Sequence, residues 1–280
     1  MKILITGAEG QLGKQLVRKL SETHSVIPYG KKELDITNKK EAETKINQTK
    51  PEIIIHAAAY TAVDHCEKNQ KKAFEVNGIG AGNIAQAASR VGARMFYISS
   101  DYVFDGNKQL PYTEEEETNP QSIYGLSKWL GEKMVQDYHN GTIIRTSWLY
   151  GHDGKNFVKT MIELGKKGKE IKVVNDQIGS PTYVNDLVET IVQLFDKKSG
   201  TYHISNSGSC SWFEFARAIF MEAGFNPETI QPITTKEYGA LAPRPCSSIL
   251  GHTALLKENI PSPRKWEDAL KEFIRKEIIL

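Results

Sequence analysis

Tyr124 and Lys128 stand four residues apart in Ile123-Tyr124-Gly125-Leu126-Ser127-Lys128, a spacing that puts both side chains on one face of a helix. An ammonium beside a phenol favours the phenolate and lowers the tyrosine's pKa, so the pair could move a proton near neutral pH. The spacing alone says little. With 11 tyrosines and 36 lysines and arginines in 280 positions, about one Tyr-x-x-x-basic match is expected by chance. Tyr124 is the one tyrosine of the 11 with Lys or Arg at that distance, and its partners elsewhere must decide. Ser100 is the first such partner. It ends the apolar run Met95-Phe96-Tyr97-Ile98-Ser99-Ser100, and a hydroxyl at a strand's carboxyl end can hydrogen-bond a reacting carbonyl. As a bare Ser-Ser it would only satisfy turn backbone.

A second chemical signal is Gly7-Ala8-Glu9-Gly10-Gln11-Leu12-Gly13. It follows a strand-like run and opens a helical one, the context a dinucleotide pyrophosphate site requires. Gly7 allows the tight turn, Gly10 lets backbone approach the phosphates, and Gly13 lets the helix sit close on the strand. Gln11 and Leu12 lie in the same turn, at a helix N-terminus whose free N–H groups suit an anion. After the second strand, where an acid would hold the 2′-hydroxyl of NAD, the chain reads Pro28-Tyr29-Gly30, and Lys31 and Lys32 follow. Two lysines suit a 2′-phosphate, so NADPH is slightly favoured over NADH. His56-Ala57-Ala58-Ala59-Tyr60 ends the third long strand, and small residues there, Ala58 and Ala59 before Tyr60, let a ligand pass close to the backbone.

These residues need a scaffold. Strand patterns at 2–6, 25–28, 52–56, 94–99 and 142–146 alternate with helical ones at 10–21, 39–49, 69–91 and 127–139, the last continuing the helix of the Tyr–Lys pair. Thr37 is read as a cap for the helix that follows it. Such alternation implies parallel βαβ units in an α/β, Rossmann-type doubly wound sheet. The second half is less regular, with helices at 156–167, 185–195, 212–224 and 266–278, a strand at 201–204, and Pro-rich breaks. Residues 1–150 are expected to form the dinucleotide-binding domain and 151–280 mainly a smaller interleaved C-terminal substrate domain. Segments near 171–205 and 240–252 are expected to return to the sheet domain.

Composition is that of an ordinary globular protein, 39% hydrophobic and 25% charged, with net charge +2. Bulk charge therefore does not argue for nucleic acid. No apolar run approaches a membrane span, and no signal peptide is read. Cys66, Cys210 and Cys246 are odd in number and in no metal-ligand spacing, so no metal and a cytoplasmic location are expected.

Several fragments in order carry a resemblance. Ser99-Ser100-Asp101-Tyr102-Val103-Phe104-Asp105-Gly106, Tyr124-Gly125-x-x-Lys128-x-x-Gly131-Glu132, Arg145-Thr146-Ser147-Trp148-Leu149-Tyr150-Gly151, Asp176-Gln177-x-Gly179-Ser180-Pro181-Thr182 and Ala242-Pro243-Arg244-Pro245 resemble the dTDP-4-dehydrorhamnose reductase family, in the extended short-chain dehydrogenase/reductase superfamily. The G-x-x-G-x-x-G turn resembles that superfamily too. The resemblance implies NAD(P)H-dependent reduction of the C4 ketone of dTDP-4-dehydro-L-rhamnose, for surface polysaccharide. It implies Ser100, Tyr124 and Lys128 as catalytic, with Lys128 also holding the nicotinamide ribose. Asp35 and Ile36 would lie beside the adenine, and Asn77 would hold neighbouring backbone. Asp101 and Trp148 would contact the sugar, Trp148 with a flat face, and Arg244 would meet the diphosphate. A homodimer is an expectation at this level only. The chain departs from the pattern at Ser100, where threonine is usual, at Gly251, where Asp is frequent, and at Gln15, near the glutamate that in some members bridges a dimer through a metal. The competing readings are an epimerase or dehydratase of the same branch, and a non-catalytic dinucleotide binder similar to the regulatory subunit of methionine adenosyltransferase.

Overall fold

The computed structural model describes residues 1–277. Six strands, β1 (Lys2–Thr6), β2 (Ser25–Tyr29), β3 (Ile53–His56), β4 (Arg94–Ser100), β5 (Gly141–Thr146) and β6 (Thr201–His203), form one sheet in the order β2-β1-β3-β4-β5-β6. Every pairing in it is parallel. Side chains alternate between the faces. Ile3, Ile5, Ile53 and Ile55 enter one apolar cluster, and Leu4 and Ile54 the other. Both faces are covered, which explains unbroken apolar strands such as Ile53-Ile54-Ile55.

On the first face, helix α1 (Gln11–Leu20) buries Leu12, Leu16 and Leu20, four residues apart. Each such leucine contributes about 2 kcal/mol on burial. On the second face lie α2 (Lys39–Thr49), α3 (Gly80–Val91) and α4 (Ile123–Gln136). The cap of α2 is Asn38, whose side chain accepts from the Glu41 N–H, and not Thr37 as the sequence suggested. Thr37 is engaged instead with the Asp35 carboxylate.

The helix expected over 69–91 is not uniform. A short helix over Val63–Lys68 precedes it, and Phe74–Ile79 widens into a π-turn before α3 begins. The widening places Asn77 where its side chain bonds the Tyr60 backbone at both N–H (2.7 Å) and C=O (3.1 Å) and the Ser127 hydroxyl at 2.9 Å. Hydrophobic periodicity cannot register one inserted residue of this kind.

In the second half, α5 (Phe157–Gly165) packs on α7 (Trp212–Glu222), and α6 (Val184–Gln193) lies against α1. A capping box of Ser211 and Glu214 starts α7. Within 171–205, Thr201–His203 pairs with β5 as β6, and Ile171–Val174 pairs in parallel with Ile230–Ile233 in a separate two-stranded sheet. Short apolar runs do not encode their partner, and here the Ile230 run closes a separate layer over α7. A helix over Trp266–Glu277 closes the described chain, so position 278 of the expected helix lies outside it. No described helix is long and apolar enough to cross a membrane.

Candidate active site

The carboxyl ends of β1, β3, β4 and β5 open onto one cavity of about 560 Å³. Parallel winding forces this convergence, because every strand of the sheet ends at the same edge. Gly7, Gly10, Gln11, Leu12 and Gly13 line it beside Ala59, Ser100, Asp101, Tyr124, Lys128 and Trp148. A neighbouring cavity of about 330 Å³ shares Gly7 and Gly10 and continues past Lys31, Asp35, Ile36, Ala58, Ala59 and Tyr60. The residues read as cofactor-binding thus line two adjoining spaces.

The glycine turn is built for close approach. Gly7 has φ +66°, and a Cβ there would lie 2.6 Å from the Ala58 nitrogen. A Cβ on Gly13 would lie 2.1 Å from the Gly7 oxygen, so only glycine lets α1 start so near β1. At Gly10 a Cβ would lie 3.2 Å from the Gly7 oxygen and meet no other atom within 4 Å, and the residue lines both cavities. The first turn of α1 carries no acidic residue and no side-chain cap. Its free N–H groups and positive dipole end fit a pyrophosphate.

Tyr124 sits in the first turn of α4, which Ser122 caps by accepting from the Gly125 N–H. Its ring meets Tyr102 edge-on at 5.4 Å. Burial pushes the Tyr124 phenol above its ordinary pKa, and a hydrogen bond with Ser100 opposes the shift. The Ser100 hydroxyl donates to the Asp101 carboxylate at 2.8 Å. Burial raises Asp101 to about 6, while the Ser248 and Ser100 hydroxyls draw it down. Asp101 is 2% exposed; the residue read as a sugar contact is in the cavity wall, with one oxygen turned onto Ser100.

That burial has a measurable consequence. Between about pH 4 and pH 6 the folded protein keeps a proton on Asp101 that the unfolded chain has lost, so stability falls as pH rises through this window. Asp101→Asn removes the effect. Its stability relative to the parent, followed by urea unfolding, is expected to improve by about 2–3 kcal/mol between pH 4 and pH 7. An unchanged difference across that range contradicts the assignment.

Lys128 departs from expectation. Its Nζ donates to the Ile98 carbonyl at 2.6 Å and lies 4.1 Å from the centre of the Tyr97 ring. Burial lowers its pKa to about 7, opposed by Glu132 one turn further along α4. The reading in which Lys128 depresses Tyr124 is therefore not realised in this arrangement. The pair shares a helix face, but both groups are buried, and desolvation dominates each. Beneath them His56 is neutral, pushed to about 3 by burial and by Lys128, with Nδ1 bonded to the Thr6 hydroxyl. Glu132 takes the Ser99 hydroxyl and two bonds from Arg145 at 2.8 and 2.9 Å, tying α4 to β4 and β5.

Two substrate-side expectations are altered. Arg244 lines neither cavity; it pairs with Asp64 at 2.9 Å and hydrogen-bonds Tyr102. Trp148 does line the main cavity, but one face is covered by Trp212, the rings 3.6 Å apart and 8° from parallel. Trp212, Lys155, Thr146 and Ser147 line this cavity too and were not singled out in the sequence. Trp212 reads there only as the first apolar residue of a helix. Among the described residues no His/Cys/Asp/Glu cluster suits a metal ion.

Residues 1–278 match the family described as RmlD substrate binding domain. A spore coat polysaccharide biosynthesis protein, SpsK, of Bacillus subtilis is 46% identical over 276 residues, covering 98% of this chain and 97% of its own length. A dTDP-4-dehydrorhamnose reductase of Aggregatibacter actinomycetemcomitans is 40% identical, with 97% and 98% covered. The crystal structure of a dTDP-4-dehydrorhamnose reductase from Bacillus anthracis in complex with NADP superimposes with a TM-score of 0.95 at 49% identity, covering 98% of this chain and 99% of that one.

Proposed function

Because the chain belongs to the RmlD family of dTDP-4-dehydrorhamnose reductases, we propose that its main cavity reduces the C4 ketone of dTDP-4-dehydro-L-rhamnose to the alcohol, giving dTDP-L-rhamnose, with NADPH or NADH. The observation that carries this reading is the meeting of Ser100, Tyr124 and Lys128 with the glycine turn around one cavity. The free N-terminus of α1 and the open side of Gly10 would hold the pyrophosphate, and Asp35, Ile36 and Ala58 the adenosine end. A bound NAD(P)H supplies hydride to the carbonyl carbon.

The chain's own residues supply the rest. A phenol held above its usual pKa is protonated at neutral pH, which is the form a reductase needs as it delivers a proton to the developing alkoxide. Ser100 bonds that phenol and is placed to orient the same oxygen. The Lys128 Nζ, held on the Ile98 carbonyl one helical turn from Tyr124, is the cation that would stabilise a phenolate once Tyr124 has given its proton. Arg244 serves the diphosphate only by exchanging Asp64 for phosphate oxygens. Three free cysteines suit the cytoplasm as the place of reaction.

Two features weigh against the alternatives. Tyr102, packed on Tyr124, stands where a dehydratase wants a second acid. A pure binder has no need of a buried Ser–Tyr pair. The deciding measurement is oxidation of NADPH and of NADH by the purified protein with the dTDP-keto sugar; no turnover with either cofactor overturns the proposal.

A further inference from the structure

We infer that Trp212 is a positioning residue for substrate recognition: stacked on Trp148, it fixes the wall of the cavity against which the sugar of the nucleotide sugar must fit. The inference rests on the reductase reading above and names a residue which that reading does not use.

Trp148 has an unusual backbone, φ +45° at a residue with a bulky side chain. Such a conformation persists only where surrounding contacts hold it, and these positions concentrate at functional sites. The contacts here come from two directions. Trp212 lies parallel at 3.6 Å. Gly179 presses close to the indole: a Cβ there would fall 2.5 Å from Cε2 and 2.7 Å from Nε1. Gly179 itself is fixed by antiparallel pairing with Cys210, two residues before Trp212. The two contacts on Trp148 thus come from one small unit, Ile178–Gly179 with Cys210–Ser211, from which α7 starts.

Trp212 is braced in turn. Phe157 of α5 packs on it at 4.6 Å and Phe215 at 6.3 Å. Trp148 and Trp212 are both only half-buried, and both line the cavity that holds Ser100, Tyr124 and Lys128. A pair of large rings that served only the core would be closed off from this space. An aromatic pair on a wall of the reaction cavity, held in a strained backbone, fits a role in shaping it. The glycine turn borders this wall through Gln11, which donates to the Leu149 carbonyl at 3.1 Å, but neither tryptophan lines the neighbouring cavity past Asp35 and Ile36.

The test uses the full-length protein with Trp212→Leu, Trp212→Phe and Gly179→Ala. Each is checked for folding by thermal melt, then assayed at saturating NADPH with the dTDP-keto sugar varied. Trp212→Leu and Gly179→Ala are expected to raise KM for the sugar about tenfold, with smaller change in kcat and an unaltered Kd for NADPH. Trp212→Phe, which keeps a stacking ring, is expected to recover most of the loss. Folded Trp212→Leu with parental KM overturns the inference. So does a loss of kcat and cofactor affinity together that Phe does not restore, since that marks a merely structural residue. Wild-type protein without turnover overturns the assigned reaction, and the inference with it; wild-type turnover with an unaltered Trp212→Leu KM overturns the inference alone.

Discussion

Tyr124→Phe is expected to lower kcat by about 10³-fold or more, with dinucleotide affinity nearly unchanged. The change removes one oxygen and leaves the ring, so the edge-on contact with Tyr102 and the apolar packing around Cys66 and Ala73 persist. What goes is the proton aimed at the reacting oxygen and the hydrogen bond with Ser100. A positioned acid is worth about 10²–10⁴ in rate, and the loss of Ser100's partner disturbs the oxygen's second contact as well. Stability should hold, because phenylalanine places no polar group in the apolar wall while burial is kept. Stopped-flow reduction and a fluorescence titration with NADPH separate the two effects. A mutant with parental kcat sinks the assigned proton donor, whatever the substrate proves to be.

Lys128→Met is expected to separate activity from stability in opposite directions. Turnover and cofactor affinity should both fall, kcat by about 10²-fold, because the cation that could follow the proton from Tyr124 is gone. The folded state, however, should gain. Lys128 is 1% exposed, and burial drives its ammonium towards neutrality, with a pKa of about 7. Between pH 7 and pH 10.5 the unfolded chain binds a proton that the folded chain does not, so wild-type stability rises with pH across that window. The burden of the buried charge is complete below pH 7. Methionine of similar length removes it, at the loss of the bond to the Ile98 carbonyl. A net gain on the order of 2 kcal/mol is expected at pH 6, fading as pH approaches 10. Equal or lower stability of the mutant at pH 6 contradicts this account, and so does a gain that does not shrink with rising pH.

These expectations also show how much of the molecule was legible in its sequence. Ser100, Tyr124, Lys128 and the glycine turn are separated by up to 121 positions, yet their convergence followed from one rule: parallel strands joined by helices end at one edge. The central strands were plain because both faces of the sheet are covered and their middles are apolar, as in Ile3-Leu4-Ile5 and Ile53-Ile54-Ile55. Orientation was another matter. Lys128 bends onto the Ile98 carbonyl because of packing around Tyr97 and Glu132, side chains 31 and 4 residues away. The π-turn at Phe74–Ile79, the pairing of Ile171–Val174 with Ile230–Ile233 and the stacking of Trp212 on Trp148 are likewise products of long-range contact. Local periodicity carries no record of them.

The position of β6 bears on how the chain is made. β5 is complete at Thr146, but the strand that covers its free side comes only at Thr201–His203, and His203 then reaches Arg145 and the Gly251 carbonyl. During synthesis the ribosome must add more than 50 residues while β5 presents an unpaired row of backbone groups. A truncated chain ending near residue 150 is a template for strand addition by its neighbours, although it contains every residue that handles protons.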